Sequence, residues 1–334
     1  MARALPEWLL QKPSEGLAAD FDRRQLDLNG RRPGILDMAA VLYSDLYAPE
    51  GLNNVSFTIE RAPIEIPDER INQLWQKQTE QLRGNHERID PKTHLRSFLA
   101  GTRGLTFVGV TSDWALMSLG PMLRDGRLPD NESYRDQIMP IERTTQNGTD
   151  FEFNSPLPNH AVLQLAVITA DDHLILTTRS SNVAFEQRSV SATVEQHINP
   201  EFQKPLHETI NSAVSKLESS ELKLTMLPET LSLKAVMIEP NVNNTGIVVI
   251  GRCQETSSQI GAAVIGEKRR SEFDSSLDSV RTIPLDDPKI WVPRFVNPGF
   301  QLHGVSRIRW ILAAQAVMGD DALELLHYEY LNTA

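Results

Sequence analysis

Apolar and polar residues alternate along Val55–Ile66, with Val55, Phe57 and Ile59 on one side, and this predicts a half-buried strand. The period then lengthens. Pro67-Asp68 opens a predicted helix over Glu69–Gln81, where Ile71, Leu74 and Trp75 recur at helical spacing. Gly104–Val110 reads as a compact strand, followed by a loop or helix containing Thr111-Ser112-Asp113-Trp114. Residues 1–55 are rich in turn formers, and Arg31-Arg32-Pro33-Gly34 precedes a short apolar helix expected over Ile35–Tyr47. Residues 125–158 are polar, contain Pro129, Pro140, Pro156 and Pro158, and are expected to link two domains.

The second half is patterned more strongly. Ala161–Thr169 is a near-continuous apolar strand, and Ala170-Asp171-Asp172-His173 turns it into a second strand over Leu174–Thr178, giving an expected hairpin. Pro205 fits the first position of a helix over Leu206–Leu222, which places Leu206, Ile210, Ala213, Val214 and Leu217 on one face. Strands are expected over Ser232–Glu239 and Gly246–Arg252, separated by the turn Pro240–Thr245. A helix over Ser306–Met318 and a tail end the chain. No internal repeat or low-complexity tract interrupts this order. The expected division is an extension over 1–55, domains over 56–155 and 156–318, and a tail over 319–334.

Composition narrows the functional classes. The 334 residues carry 33 Lys and Arg against 44 Asp and Glu, a formal net charge of −11. That balance disfavours a dedicated nucleic-acid surface, which needs clustered cations, but leaves room for a locally positive pocket holding a small anion. Cys253 is the one cysteine, so no internal disulfide forms, and no Cys/His spacing matches a zinc site. The start, MARALPEWLLQKPSEG, is too polar for a signal peptide, and no window reaches 18 apolar residues. A soluble, cytoplasmic protein with no membrane partner is the expectation.

The segment Thr169-Ala170-Asp171-Asp172, then Leu174-Ile175-Leu176-Thr177-Thr178-Arg179-Ser180 and Val183-Ala184, resembles the hairpin of the Nudix superfamily in its UDP-glucose diphosphatase branch. The helix-opening pair His207-Glu208 and the stretch around Trp291 before the last helix are also similar to that branch. Upstream, Leu74-Trp75 and Val110-Thr111-Ser112-Asp113 resemble its N-terminal domain. The resemblance spans roughly residues 55–318. It implies an α/β (α+β) fold: a Nudix-like mixed sheet between helices, preceded by a smaller strand-and-helix domain. It also implies a ligand class, nucleoside diphosphate derivatives.

The resemblance breaks at the metal-binding helix. The Nudix box, G-x5-E-x7-R-E-U-x-E-E-x-G-U, puts glutamates three and four residues apart on one helical face, as hard oxygen ligands for Mg²⁺. Threaded by Leu217, this chain has Ser215-Lys216 at R-E, Ser219-Ser220 at E-E, His207 at the earlier Glu and Glu201 at the leading Gly. Glu218 points about 200° away from Lys216. A lysine charge roughly 4 Å from a divalent cation opposes binding by about 8 kcal/mol at an effective dielectric of 20, enough to empty an ordinary magnesium site even when discounted severalfold. Standard metal-dependent diphosphatase chemistry is expected to be absent.

The candidate ligand-binding residues are Arg179, Lys216, His207 and Trp114, each with a plainer alternative. Lys216 is either an anion clamp in place of the metal or a solvated lysine. Arg179 either faces the ligand cleft or pairs with Glu186 or Asp172. His207-Glu208 either meets ligand or caps the helix, where Glu suits the positive end of the dipole. Trp114 and Trp75 either stack a base or fill core. His160 and His197 lack metal-ligand spacing. No Gly-x-Ser-x-Gly elbow, G-x-G-x-x-G after a strand or Walker sequence occurs.

Three functions follow as expectations. The leading one is a pseudoenzyme with a degenerate Nudix box, which binds a nucleotide or nucleotide-sugar diphosphate as a sensor, scaffold or regulatory component and uses no cofactor. The second is an active hydrolase of UDP-glucose-like compounds with Mg or Mn held by relocated ligands, for example Glu195, Glu201 and Glu221. The third is an interaction module with a protein partner or a second copy, its cleft filled by side chains.

Overall fold

The computed structural model describes residues 40–43, 55–66, 68–85, 89–101, 104–120, 141–142, 150–153, 159–179, 189–198, 206–216, 224–239, 244–260, 277–296, 302, 306–319, 321–322 and 324–326. In chain order the elements begin with β1 (Ala40–Tyr43), β2 (Val55–Pro63), α1 (Glu69–Gly84), β3 (Pro91–Gly101), β4 (Gly104–Asp113) and α2 (Trp114–Met117). Next come β5 (Ile141–Glu142), β6 (Asp150–Phe153), β7 (His160–Ile168), β8 (His173–Arg179), β9 (Val190–Ser191) and β10 (Val194–His197). The last are α3 (Leu206–Lys216), β11 (Met226–Glu239), β12 (Asn244–Cys253), β13 (Leu277–Pro284), α4 (Pro288–Val296) and α5 (Ser306–Met318).

The fold is α/β with one mixed sheet flanked by helices. Its main path runs β1-β11-β12-β7-β3-β4-β2, with β12–β7 and β2–β4 parallel and the other neighbours on the path antiparallel. A strand flanked by neighbours and covered on both faces needs apolar residues at almost every position, and β7, HAVLQLAVI, is buried throughout. One face of the sheet is covered by α3, whose Ile210 and Val214 join Leu163, Leu165, Val167, Ile247 and Val249. The opposite face is covered at one end by α4 and α5. There Ala166, Ile168, Val248 and Ile250 meet Trp291, Phe295, Ile308 and Trp310. At its other end α1 packs Ile71, Leu74 and Trp75 on Val110 and Leu116. Successive edge-to-face contacts link Trp291, Phe295 and Trp310 at 6.1 and 5.8 Å.

Several expectations change on contact with the fold. The helix expected over Ile35–Tyr47 is not present at 40–43, which form the edge strand β1 on β11. The open edge of β11 offers these four residues ladder partners, and the rest of the span expected as a helix lies outside the described residues. Within the stretch expected as a linker, β6 pairs with β3 and β5 pairs with β6. The hairpin is brief: β7 and β8 pair at Ile168–Leu174 only, after which β8 leaves to run along β13. The split is filled by Thr193, which sits at φ 70° between β9 and β10. Its hydroxyl accepts from Val167 N at 2.9 Å and donates to Ile175 O at 2.8 Å, and its carbonyl accepts from Thr177 Oγ1 at 2.7 Å. Three hydrogen bonds hold a β-branched residue in a backbone region that it rarely adopts.

Candidate functional site

Residues paired across a ladder share a sheet face. Glu195 is opposite Gln164 and His197 opposite Val162; His160 is opposite His94 on one side and Asn244 on the other. All of these therefore lie on the face that α1 and α5 cover, in the interval between the two apolar patches. Lys92, two residues before His94 on β3, lies on the same face opposite Ser112. The result is a polar strip crossing a sheet whose other face is mainly apolar, with threonines such as Thr93 and Thr245 among its buried residues.

At the α5 end the strip is closed by an ion pair between the buried Arg309 and the partly buried Glu195. Arg309 is fully buried, and its Nη2 meets Glu195 Oε1 at 2.5 Å, Ser191 Oγ at 3.0 Å and Ser306 Oγ at 3.0 Å, while Nη1 donates to Val194 O at 3.1 Å. Ser306 Oγ accepts from Ala192 N at 3.1 Å, tying the helix start to the same loop. The bend at Thr193 sets β10 at the register that brings Glu195 to Arg309. A buried carboxylate is tolerated only with such a partner.

In the centre, Gln164 is 0% exposed, and a Cβ on Gly246 would fall 2.6 Å from its Oε1. Glycine at 246 is what lets the amide lie against β12. Neither Gln164 Oε1 nor Nε2 has a hydrogen-bond partner among the described residues, and the same holds for both ring nitrogens of His160 and for Asn244 Oδ1. His94 differs, because its Nδ1 accepts from Asn159 N at 2.8 Å, which places the imidazole proton on Nε2. Burial pulls His94 down to about 3. Burial, reinforced by the neighbouring His197, His94 and Lys92, holds His160 well below the ordinary histidine range. Both rings are neutral at pH 7.

At the outer end, Trp114 opens α2. Asp113 caps this short helix by accepting from Leu116 N at 2.9 Å, and it also accepts from Trp75 Nε1 at 2.9 Å. Trp75 is thereby committed to the packing under α1. Trp114 is half-buried, with His197 edge-on at 6.2 Å and Lys92 Nζ 5.7 Å from its ring centroid. An aromatic face beside an ammonium can hold a planar ring and a nearby anionic group together.

The other expected residues lie elsewhere. His207 and Lys216 stand at the two ends of α3, nine residues and so about 14 Å apart along its axis, on the helix that packs the opposite sheet face. Arg179 ends β8, paired with Leu277. The side chains of Arg179, His207 and Lys216, and all of Glu201 and Glu221, lie outside the described residues. Asp172, one partner considered for Arg179, is ion-paired with Arg252 at 2.6 Å. Its neighbour Asp171 is exposed; partial burial raises its carboxyl, but hydrogen bonds from Ser257 and Thr169 outweigh this and bring it to about 2. Among the described residues no three of His, Cys, Asp and Glu converge as a metal would require, and Glu195 has its carboxylate engaged by Arg309. Cys253 is buried, and burial together with Glu255 pushes its thiol up to about 12, far from nucleophilic use.

The strip was readable in part. Gln164 interrupts a run of apolar residues, and Arg309 stands between Ile308 and Trp310. Polar groups inside apolar patterns mark either a buried network or a site. That Gln164 lies on one sheet face with His94, His160 and Asn244, opposite the Glu195 that pairs with Arg309, follows only from strand order.

No family model matches this chain, and no curated protein does. Among solved structures, the chain is similar to DR0079 from Deinococcus radiodurans with a TM-score of 0.32 and 9% identity, over 52% of this chain and 98% of that one. It is also similar to Tm1382, provisionally assigned as a Nudix hydrolase, with a TM-score of 0.31 and 11% identity, over 52% of this chain and 87% of that one. Overlaps of this quality say nothing about substrate or chemistry.

Proposed function

We propose that this protein is a Nudix-like binding protein that takes a nucleotide or nucleotide-sugar diphosphate and does not hydrolyse it by the standard metal-dependent route. It would serve as a sensor, scaffold or regulatory component. The observation that carries this reading is the outer end of the strip, where the half-buried Trp114 ring and Lys92 stand 5.7 Å apart. A base stacked on the indole would bring its phosphates towards the ammonium, and stacking contributes about 1–3 kcal/mol per base. The loss of the box glutamates, with Lys216 at a metal-ligand position, supports a role without the metal.

Calorimetric titration of UDP-glucose in EDTA tests the proposal. Trp114→Ala is expected to weaken binding by roughly 10- to 100-fold, matching that stacking energy, and Lys92→Met to weaken it further as salt is lowered. Unchanged affinity in both variants would refute this placement. A loss confined to Lys216→Glu would instead favour a ligand lying against α3, with Arg179 and His207. An EDTA-sensitive hydrolysis abolished by Glu201→Gln or Glu221→Gln would establish the relocated-ligand hydrolase.

A further inference from the structure

The inner end of the strip does something that the outer end does not require. His160 and Asn244 are paired across the parallel strands β7 and β12, Gln164 lies four residues along β7 with its amide against Gly246, and all three are at least nine-tenths buried. Their five polar atoms Oε1, Nε2, Nδ1, Nε2 and Oδ1 have no hydrogen-bond partner among the described residues. Buried polar groups in folded proteins are nearly always satisfied, so a cluster left open on one face calls for a partner from outside the fold. A purely structural core would place apolar residues here, as the opposite face of the same strands does with Leu163, Leu165 and Ile247. Gly246 sharpens the contrast, since any side chain at 246 would displace the Gln164 amide.

The chemistry of the cluster defines the partner. A neutral imidazole offers one donor and one acceptor, a primary amide offers both, and Asn244 Oδ1 accepts. None of these three carries a charge; Arg309 and Glu195 beyond Gln164 neutralise each other, and the nearby cation, Lys92, has its ammonium at the Trp114 ring. Such a surface rejects a phosphate or carboxylate, whose desolvation it does not repay, and accepts a neutral ring bearing adjacent donors and acceptors.

We propose that Gln164, His160 and Asn244 form an inner subsite that recognises the uncharged ring of the ligand, through either sugar hydroxyls or the amide edge of a base. The inference rests on the proposed nucleotide-sugar binding and assigns one part of that ligand to one part of the strip. Gln164 and His160 act as specificity residues there, and Asn244 accepts from a ligand hydroxyl or N–H.

Calorimetry in EDTA with UDP-glucose, UMP and glucose 1-phosphate tests it on the wild type, Gln164→Leu and His160→Phe. Each substitution is expected to raise Tm in the absence of ligand, because a buried unpaired group is removed, and to raise Kd for UDP-glucose at least 30-fold. One half-ligand should lose affinity while the other keeps it. Loss for UMP assigns the ring to the base, and loss for glucose 1-phosphate assigns it to the sugar. Wild-type ring-nitrogen spectra provide a second reading that needs no variant: both His160 ¹⁵N signals should shift on addition of UDP-glucose. Variants binding UDP-glucose within twofold of wild type, together with unshifted His160 signals, would overturn the inner subsite and leave the proposed function intact. Failure of the wild type to bind any of the three would overturn both.

Discussion

The two faces of the central strands are built from the same ladder yet composed differently. On the α3 side, β7 and β12 present Leu163, Leu165, Val167, Ile247 and Val249 to Ile210 and Val214, and the polar Thr245 on that face is satisfied by donating to Asn159 Oδ1. On the α1 and α5 side, the intervening positions of those strands hold His160, Gln164, Asn244 and Gly246 around the single apolar Val162, and the apolar cluster begins at Ala166, Val248 and Ile250. Hydrophobic burial contributes about 25 cal/mol per Å² of apolar surface, so the first face is what a stable fold selects. The second gives up part of that contribution and adds the desolvation of polar groups. Such an exchange is expected where a surface must recognise something.

The comparison is broken most forcefully at its ion pair. Arg309→Met strands the Glu195 carboxylate at a mostly buried position and should lower unfolding stability by about 3–5 kcal/mol in urea titrations. The double variant Arg309→Met, Glu195→Met should recover most of that loss. A double variant as unstable as the single one would show that the pair has a purely architectural role through Val194 and Ser191.

Acid separates the faces next. His94 and His160 are neutral in the folded chain and titrate near 6.5 when unfolded, so the unfolded state binds more protons below that value. Stability is therefore full above about pH 6.5 and falls as pH drops towards the depressed folded values. Each buried imidazole should cost about 2 kcal/mol by pH 5. Replacing His160 by Phe should remove its share of the slope, whereas Leu165→Ala on the other face should shift stability by a pH-independent amount. A slope unaffected by His160→Phe would contradict the neutral, buried assignment.

A smaller effect sharpens the geometry. Gly246→Ala should lower stability by about 1–3 kcal/mol through the clash with the Gln164 amide. Adding Gln164→Ala should make the pair cost less than the sum of the singles. Additivity would mean that the amide does not lie against β12.

Much of this architecture was legible in the chain. The last helix ran where its apolar spacing indicated, Ser306–Met318, and α1 and the core of β11 and β12 appeared at or around their expected positions. Strong periodicity or long apolar runs carry such elements. β3 has no clear sequence signature, because PKTHLRSFLAG neither alternates cleanly nor forms an apolar block, and its place is set by β4 and β7. The split of β7 from β8 leaves no local signal, since it depends on β13 arriving from about a hundred residues downstream. The candidate site was less legible than the fold. Trp114 was visible as a residue after a Thr-Ser-Asp turn, but its neighbours Lys92 and His197 come from β3 and β10. In the sequence His160 and His197 are isolated histidines without metal-ligand spacing. Their shared face with Gln164 and Glu195 follows from ladder register alone.

The most direct test of the account is one titration with two readouts. The protein is titrated with UDP-glucose in the calorimeter, once in EDTA and once in Mg²⁺, and the cell contents are then analysed by mass spectrometry. The account predicts saturable binding of equal affinity in both buffers, with UDP-glucose recovered intact. Recovery of UMP and glucose 1-phosphate from the Mg²⁺ cell alone would contradict it and show a working metal centre.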